Sequence, residues 1–176
     1  MTQREDDQLR NVVRGKTIVV KLGGSVGRDD TLPEDATRLQ GLGARVVLVH
    51  GGGPLITGWL DRIGKETHFV DGLRYTDGET LEVVRMVLSG LVNGDVVQRI
   101  GVAGGRAIGL TGSDDCLLQA GVRDARLGLV GEITAVNPRP LSLILDAGYI
   151  VVVAPVAVMA NDEGATFLNV NADTAA

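Results

Sequence analysis

Short runs of apolar, mostly β-branched residues recur along the chain, and each breaks abruptly into glycine, proline or small polar residues. Two are sharply bounded: residues 18–24 read IVVKLGG, and residues 46–53 read VVLVHGGG. A near-continuous apolar run of this length is typical of a strand buried on both faces of a parallel sheet. The pattern predicts strands at 16–22, 46–50, 107–110 and 150–154, and shorter ones at 116–120, 127–133 and 167–170.

Segments with helical periodicity separate these strands. Residues 54–63 begin with Pro54, which suits the first turn of a helix, and Gly64 ends the pattern. Five apolar residues share one face of this helix: Leu55, Ile56, Trp59, Leu60 and Ile63. Trp59 among them is expected in the core. Further helices are predicted at 8–14, 29–41, 78–93 (continuing through 96–102) and 137–147. The apolar stripe of the third of these, from Leu81 to Leu91, is expected in the core. Strands that alternate with helices predict a mainly parallel sheet with right-handed crossovers.

The two ends of the chain differ from its middle. Residues 1–7 are polar and expected to be frayed, within an N-terminal extension of residues 1–15. Residues 171–176, NADTAA, predict a helix that has just begun, because Asp173 and Thr174 followed by alanines are a start signal. A domain rarely ends at such a point, so we expect the sequence to be a piece of a longer protein.

Composition indicates the α/β class. A chain of 176 residues is long enough for one domain with a sizeable core. It is 44% apolar but only 3% aromatic, so the core must consist of Val, Leu, Ile and Ala, which suits a sheet covered by helices. The 25 glycines are too many for helix interiors and indicate tight turns at strand ends.

Charge and cysteine content exclude several classes of function. The net charge of −5 leaves no basic surplus for nonspecific binding to nucleic acid. Cys116 is the only cysteine, which excludes an intrachain disulfide and a cysteine-based zinc site. The first ten residues are polar, and the longest apolar run, 149–160, contains Pro155 and is too short to span a membrane. The simplest interpretation is a cytoplasmic protein that binds neither nucleic acid nor membrane.

The first candidate for chemistry is Lys21 with Gly23 and Gly24, at the end of the first strand. Glycine N–H groups can approach a phosphate closely, and a lysine adds a point charge that neutralises a transferring phosphoryl group. A solvent-exposed lysine followed by an ordinary turn explains the same residues equally well. Only three lysines occur beside 14 arginines, which favours a specific role for this one.

Gly51, Gly52 and Gly53 join a strand to a helix, and this junction is an anion site by geometry. Three consecutive glycines cost backbone entropy, so the fold or a ligand must require them. The spacing matches neither G-x-G-x-x-G nor the Walker A motif. A tight connection without a ligand remains the alternative.

Two polar segments are further candidates. Arg74, in FVDGLRYTD, is a candidate clamp for a substrate carboxylate, but a surface ion pair with Asp71 or Asp77 is the better interpretation from the residues alone. Asn169, Asn171 and Asp173 alternate along an extended segment and so point to one side, which indicates either a site or an Asx-rich helix cap. His50, His68, Trp59 and Cys116 are interpreted as structural or inert.

Eight segments together resemble the amino-acid kinase family, and within it the branch that phosphorylates the side-chain carboxylate of N-acetyl-L-glutamate. They are GKTIVVKLGG (15–24), VLVHGGGPLI (47–56), FVDGLRYTD (69–77), EVVRMVLSGLVN (82–93), AIGLTGSD (107–114), GLVGEITAVNP (128–138), DAGYIVVVAP (146–155) and NVNADTAA (169–176). HGGGP and NVNAD are the more specific to this branch, whereas KxGG fits any member of the family.

The resemblance implies the amino-acid kinase (carbamate kinase-like) fold, a three-layer αβα sandwich around a mainly parallel sheet. Residues 16–176 would form the N-terminal lobe, which in the family binds the acyl amino acid and forms a dimer. The nucleotide-binding lobe that follows NVNAD in the family is not among these 176 residues. Activity of this chain by itself is therefore an open question.

The resemblance also implies a role for each matched residue. Lys21 would stabilise the transferring phosphoryl group and Asp173 would orient Lys21. Gly23, Gly24 and Gly51 would bind the ATP phosphates; Gly52, Gly53, Arg74 and Asn169 would bind N-acetyl-L-glutamate. ATP with Mg²⁺ would be the phosphoryl donor, and no protein metal ligand is expected.

Two alternatives stay open. The substrate could be a related acyl amino acid, such as a carrier-bound aminoadipate. The chain could instead be a non-catalytic module for acetylglutamate binding or dimerisation. A homodimer through this lobe is expected, and residues 1–14 resemble a shortened form of the helix by which arginine-inhibited members form hexamers.

Overall fold

The computed structural model describes residues 3–23, 31–161 and 164–176, which form strands and helices in alternation. The helices are α1 (Gln3–Val13), α2 (Leu32–Gly41), α3 (Gly53–Arg62), α4 (Gly78–Arg85), α5 (Asn93–Val102), α6 (Arg139–Asp146) and α7 (Ala172–Ala175). The strands are β1 (Thr17–Leu22), β2 (Arg45–His50), β3 (Phe69–Val70), β4 (Leu73–Arg74), β5 (Ala107–Thr111), β6 (Leu118–Val122), β7 (Gly131–Val136), β8 (Ile150–Ala154), β9 (Val156–Asn161) and β10 (Gly164–Asn169).

A parallel sheet of four strands, in the order β1-β2-β8-β5, forms the centre of the molecule. Its middle strands, β2 and β8, are paired so that Val47 lies beside Val151 and Val49 beside Val153. Both strands are buried along almost their whole length, which explains why their sequences are continuously apolar. The predicted parallel sheet is confirmed.

Side chains that alternate along these strands build two cores, one on each face of the sheet. Val46, Leu48 and Val152 point to one face and pack with apolar side chains of α2, α3, α4 and α5. Val47, Val49 and Val151 point to the other face and pack with α6 and with the second sheet. The α/β sandwich is therefore confirmed, with a layer on the second face that contains strands as well as a helix.

The second sheet has the order β10-β9-β6-β7, with antiparallel pairs β9–β10 and β6–β7. Strands were predicted at 116–120 and 127–133, close to where β6 and β7 lie, but β9 was not predicted. The apolar run 149–160 is in fact two strands of different sheets, β8 and β9, with Pro155 between them. Proline lacks the N–H that would continue the ladder, and here it marks the transfer of the chain from one sheet to the other.

The predicted helices 78–93 and 96–102 are one long helix. Its ends, α4 and α5, are joined by seven residues in π-helical conformation, Met86–Val92. Leu81, Val84, Val87 and Leu88 of its apolar stripe are buried, as expected.

Two residues expected in the core are exposed instead. Trp59 is 37% exposed and Leu91 50% exposed, and Leu55 of α3 and Ile63, which directly follows α3, are also exposed. The apolar face of α3 is wider than the surface that its neighbours cover, so only Ile56 and Leu60 of the five are buried. The core interpretation of Trp59 and Leu91 was wrong.

The N-terminal helix begins earlier than predicted, since residues 3–7 are helical. Val13 is buried, Leu9 packs against the same core, and Arg38 Nε donates to Asp6 Oδ1 (3.0 Å). Gly15, with φ +73°, then turns the chain into β1, its N–H donating to Gly43 O (2.8 Å). Within the described ranges, no helix combines the length and apolarity that a bilayer crossing requires.

Candidate functional site

The carboxyl ends of β1, β2 and β8 lie at one edge of the central sheet and border a cavity of about 250 Å³. Parallel strands bring the residues that follow them to the same edge, where ligands of open α/β sheets bind. The cavity is lined by Lys21, the turn 51–53, Arg74, Asn169, Asn171 and Asp173. Gly23 is exposed and does not line it, and Gly24 lies outside the described residues.

Lys21 and Asp173 form an ion pair at the mouth of this cavity. Lys21 Nζ lies 2.8 Å from Asp173 Oδ1, and the lysine side chain is about one third exposed. Asp173 is held in the first turn of α7, whose N-cap is Asn171: Asn171 Oδ1 accepts from the Asp173 N–H (2.8 Å). Asn171 is therefore both a helix cap and part of the cavity wall.

The glycine turn packs tightly against the π-helical segment. A Cβ added at Gly52 would lie 2.7 Å from Leu88 Cδ2 and 3.3 Å from Val92 Cγ2, whereas one at Gly53 would meet nothing within 4 Å. At position 52, then, packing alone requires glycine. At position 53 there is room for a side chain. Gly53 is also the first residue of α3, where the backbone N–H groups have no intrahelical partners.

His50 lies buried beneath the turn and orients its first peptide. Its Nδ1 donates to Gly51 O (3.0 Å), and its Nε2 accepts from Asn93 Nδ2 (3.2 Å). In a trans peptide the N–H points opposite to the C=O, so the Gly52 N–H is directed away from His50. Burial lowers the pKa of His50, which favours the neutral ring that this pair of hydrogen bonds needs.

Arg74 is a buried cation, only 8% exposed, held by neutral oxygens. Its Nη2 donates to Gly53 O (3.0 Å) and Thr57 Oγ1 (2.8 Å), and its Nη1 to Thr67 Oγ1 (3.3 Å). Within the described residues no carboxylate lies within 4 Å of it. Desolvation lowers the pKa of Arg74, and Asp61, too far for an ion pair, opposes that shift.

The expected ion pair of Arg74 with Asp71 or Asp77 was therefore wrong. Asp77 instead caps α4 and pairs with Lys65 (2.8 Å), which lowers the pKa of Asp77 to about 2. Asp71 lies in the tight turn between β3 and β4, 3.8 Å from Arg126 Nη2.

Asn169 reaches the cavity from the end of β10. Its Nδ2 donates to Thr76 Oγ1 (3.1 Å), and the Thr76 hydroxyl donates to Arg74 O (3.0 Å). Sequence reasoning missed Thr57, Thr67, Thr76 and Asn93. Asn93 had a detectable signal, a polar residue in an apolar helical stripe; the threonines had none, because threonine is common in strands and turns.

The arrangement suits a ligand with two negatively charged groups, one near Arg74 and one near Lys21. Its chemistry is charge stabilisation and positioning, since the histidine near it is buried with both ring nitrogens engaged. Across the described ranges, no three His, Cys, Asp or Glu side chains are grouped so that they could hold a metal ion.

Comparison with known proteins identifies relatives. The profile of the Amino acid kinase family matches residues 16–176. Acetylglutamate kinase of Pelotomaculum thermopropionicum is 48% identical over 178 aligned residues, which cover 92% of this chain and 59% of that protein. Acetylglutamate kinase of a Synechococcus species is 47% identical, with coverage of 92% and 54%. The chain thus spans little more than half the length of these curated relatives.

Solved structures share the fold. A Streptococcus mutans protein superposes with a TM-score of 0.77 at 27% identity, covering 91% of this chain and 65% of that one. N-acetylglutamate synthase of Neisseria gonorrhoeae, solved with coenzyme A and N-acetyl-glutamate, has a TM-score of 0.75 at 26% identity, with coverage of 96% and 39%.

Proposed function

The chain belongs to the amino acid kinase family, and from that premise we propose that it provides the acyl-amino-acid half of an acetylglutamate kinase. The reaction is ATP-dependent phosphorylation of the side-chain carboxylate of N-acetyl-L-glutamate to N-acetylglutamyl phosphate, a step toward arginine. Support comes from 43–48% identity to relatives of that name over at least 92% of this chain.

The observation that supports this proposal most directly is the state of Arg74. The described contacts of this buried guanidinium are three neutral oxygens and the face of the Phe69 ring, 4.9 Å away, so it has no partner of full negative charge, and a bound carboxylate would supply one. In the proposal Arg74 binds the α-carboxylate of N-acetyl-L-glutamate, and Asn169 binds the same molecule. The side-chain carboxylate then extends toward Lys21 and the glycine turn.

Lys21 is proposed to neutralise charge on the transferring phosphoryl group, and Asp173 to hold its ammonium in place. Gly52 and Gly53 offer backbone N–H groups to the reacting carboxylate, and Gly23 and Gly24 are proposed to offer theirs to the donor phosphates. The Gly51 N–H donates to Leu22 O (3.1 Å), so Gly51 would border the phosphates without a free N–H. Phosphoryl transfer needs little covalent work from the protein, so positioning and charge stabilisation suffice.

ATP with Mg²⁺ is the proposed donor, and the residues at the cavity fit its phosphates: a lysine, backbone N–H groups and a helix N-terminus. ATP supplies the γ-phosphoryl group, and Mg²⁺ neutralises its charge. The described residues contain no grouped metal ligands, so the metal would be held mainly by the phosphates themselves.

The test measures binding and transfer separately. Binding of N-acetyl-L-glutamate, L-glutamate and aminoadipate to the 176-residue chain is measured by calorimetry. Transfer is measured by trapping the acyl phosphate with hydroxylamine in the presence of ATP and Mg²⁺. We expect N-acetyl-L-glutamate to bind most tightly. Failure to bind it at millimolar concentration, or a preference for aminoadipate, would overturn the substrate assignment.

We also propose a homodimer, on the evidence of one exposed apolar surface. Trp59 of α3 and Met86, Gly90 and Leu91 of the π-helical segment line a groove of about 270 Å³, and Met86 is 61% exposed. Large apolar side chains grouped in this way mark protein interfaces. A second copy of the chain, with the same two helices, is the proposed occupant.

A further inference from the structure

Thr76 is a fully buried polar residue that joins the two proposed substrate-binding side chains. It follows Arg74 by two positions, and its backbone is fixed on both sides: its N–H donates to Leu127 O (3.0 Å), and its carbonyl accepts from Leu129 N (2.7 Å). Asn169 N in turn donates to Leu129 O (2.9 Å). The Thr76 hydroxyl is thus held at a set position between β4 and β10.

The hydroxyl has one proton, and its two neighbours determine where that proton goes. One neighbour is Arg74 O at 3.0 Å, a carbonyl that can only accept. The hydroxyl therefore donates to Arg74 O and can only accept from its other neighbour, the Asn169 side chain at 3.1 Å. The group that Asn169 turns toward Thr76 must be its NH₂.

This arrangement fixes the orientation of an amide that could otherwise flip. With Nδ2 directed at Thr76, Asn169 Oδ1 is the other arm of the planar amide and points away from the Thr76 hydroxyl. No described residue donates a hydrogen bond to that oxygen, and Asn169 lines the cavity. The cavity is thus given a hydrogen-bond acceptor at this position.

We propose that Thr76 is a positioning residue that sets Asn169 Oδ1 as the acceptor for the amide N–H of an N-acyl amino acid. The inference rests on the proposed function and names a specificity determinant within it. A site built to accept an N–H rejects an analogue that lacks one, because a buried acceptor is then left unpaired. Thr76 would thereby enforce selection for the acylamino group, and not only for the two carboxylates.

The matched ligand pair is N-acetyl-L-glutamate and 2-acetoxyglutarate, in which an ester oxygen replaces the N–H. The wild-type chain should prefer the amide by about tenfold or more. Thr76→Val has the same shape without the hydroxyl, so the Asn169 amide can rotate and offer NH₂ to the ester. Its preference should fall to about threefold or less, whereas Thr76→Ser should keep the wild-type ratio.

Two controls separate positioning from general damage. Thr134→Val removes a threonine hydroxyl from β7, which does not line the cavity, and should leave the ratio unchanged. Circular dichroism reports whether each variant is folded. A folded Thr76→Val that binds both ligands more weakly but keeps the wild-type ratio would overturn the proposal, because a merely structural role changes affinity without changing discrimination.

A ligand-free measurement on the wild-type chain completes the test. In nuclear magnetic resonance spectra of ¹⁵N-labelled protein, the Asn169 side-chain NH₂ should show cross-relaxation to the Thr76 methyl and β protons. Absence of these signals, with the amide assigned, would overturn the orientation. If the wild-type chain bound neither ligand, the proposed function would fail, and so would the proposal that Asn169 Oδ1 accepts the amide N–H of a ligand. The amide spectrum would still decide the Thr76–Asn169 pairing.

Discussion

Arg74 shows how a single residue can be kept ready for a ligand. In the folded chain its guanidinium contacts three neutral oxygens in place of water, and this desolvation lowers the pKa of Arg74. Because the planar guanidinium has several N–H donors, it can donate to Thr57 Oγ1 and Gly53 O and still have N–H groups for a carboxylate. A lysine has a single ammonium and cannot do both.

Arg74→Lys should therefore weaken binding of N-acetyl-L-glutamate by about tenfold or more, since the bidentate contact is lost. Isothermal titration calorimetry measures the change. Arg62→Lys is the matched control, because Arg62 stacks on Trp59 (4.7 Å) outside the cavity and should leave affinity unchanged. Equal affinities of Arg74→Lys and the wild-type chain would show that Arg74 does not bind the ligand.

His50 should make the stability of the fold depend on pH. Burial lowers its pKa in the folded state below the ordinary value of 6.5, so the unfolded chain takes up a proton more readily. The free energy of unfolding should therefore fall as pH drops below 6.5, until the folded-state pKa is reached. Denaturant unfolding at pH 7.5 and pH 5.5 measures the difference. His50→Gln, which cannot titrate, should show a smaller loss, and an equal loss in both proteins would assign the effect to other groups.

At the scale of elements, the glycine turn and the π-helical segment form one unit. Gly52 lets the turn approach Leu88 and Val92 closely, and both of these residues belong to the π-helical segment. The glycine turn, which carries the backbone N–H groups of the proposed anion site, is thus held in place by packing against the π-helical segment and by the hydrogen-bonded pair His50 and Asn93.

Two neighbouring glycines should respond differently to alanine. Gly52→Ala places a Cβ 2.7 Å from Leu88 Cδ2 and should lower the free energy of unfolding by about 1–3 kcal/mol, as overpacking does. Gly53→Ala meets nothing within 4 Å and should change it by less than about 1 kcal/mol. Urea unfolding of the two variants provides the comparison. A larger loss for Gly53→Ala would contradict the packing explanation for Gly52.

At the scale of the whole molecule, the candidate site exists only where distant parts of the chain meet. Lys21, Gly52, Arg74 and Asn169 come from β1, the turn after β2, the β3–β4 hairpin and the end of β10. The second sheet carries Asn169 and Asp173 back to the edge of the first. The groove around Met86 adjoins the buried stripe of the long helix, since Val87 belongs to both, so the same helix borders the core and the proposed dimer interface.

Met86→Glu should therefore shift a dimer toward monomer, since a charge would be buried against the second copy. Sedimentation equilibrium at micromolar concentration gives the mass. Val102→Glu is the control: Val102 is 84% exposed at the end of α5 and outside the groove, and its substitution should not change the mass. A monomeric wild-type chain, or dimers of equal stability in both variants, would contradict the proposed interface.

Much of the fold was predictable from the sequence because it depends on local patterns. Buried parallel strands are apolar on both faces, and Pro54 and Gly64 bound their helix, so the central sheet and its helices were predicted within a few residues. The strand β9 was missed because the apolar residues on both sides of Pro155 form one run, with no periodicity to divide them. Trp59 and Leu91 were misplaced because helical spacing reveals an apolar face but not whether a neighbour covers it.

The candidate site divides in the same way. The glycine turn, Lys21 and the start of α7 each depend on a short segment of the sequence. The sequence by itself therefore determined these three features, and it also determined the family. The resemblance implied that Asp173 orients Lys21, and the structure shows that contact. Only the tertiary structure decided that Arg74 points into the cavity without an ion pair and that Thr76 orients Asn169. These contacts join residues 17 to 152 positions apart, and their partners are chosen by distance and desolvation in the folded chain, which no local pattern records.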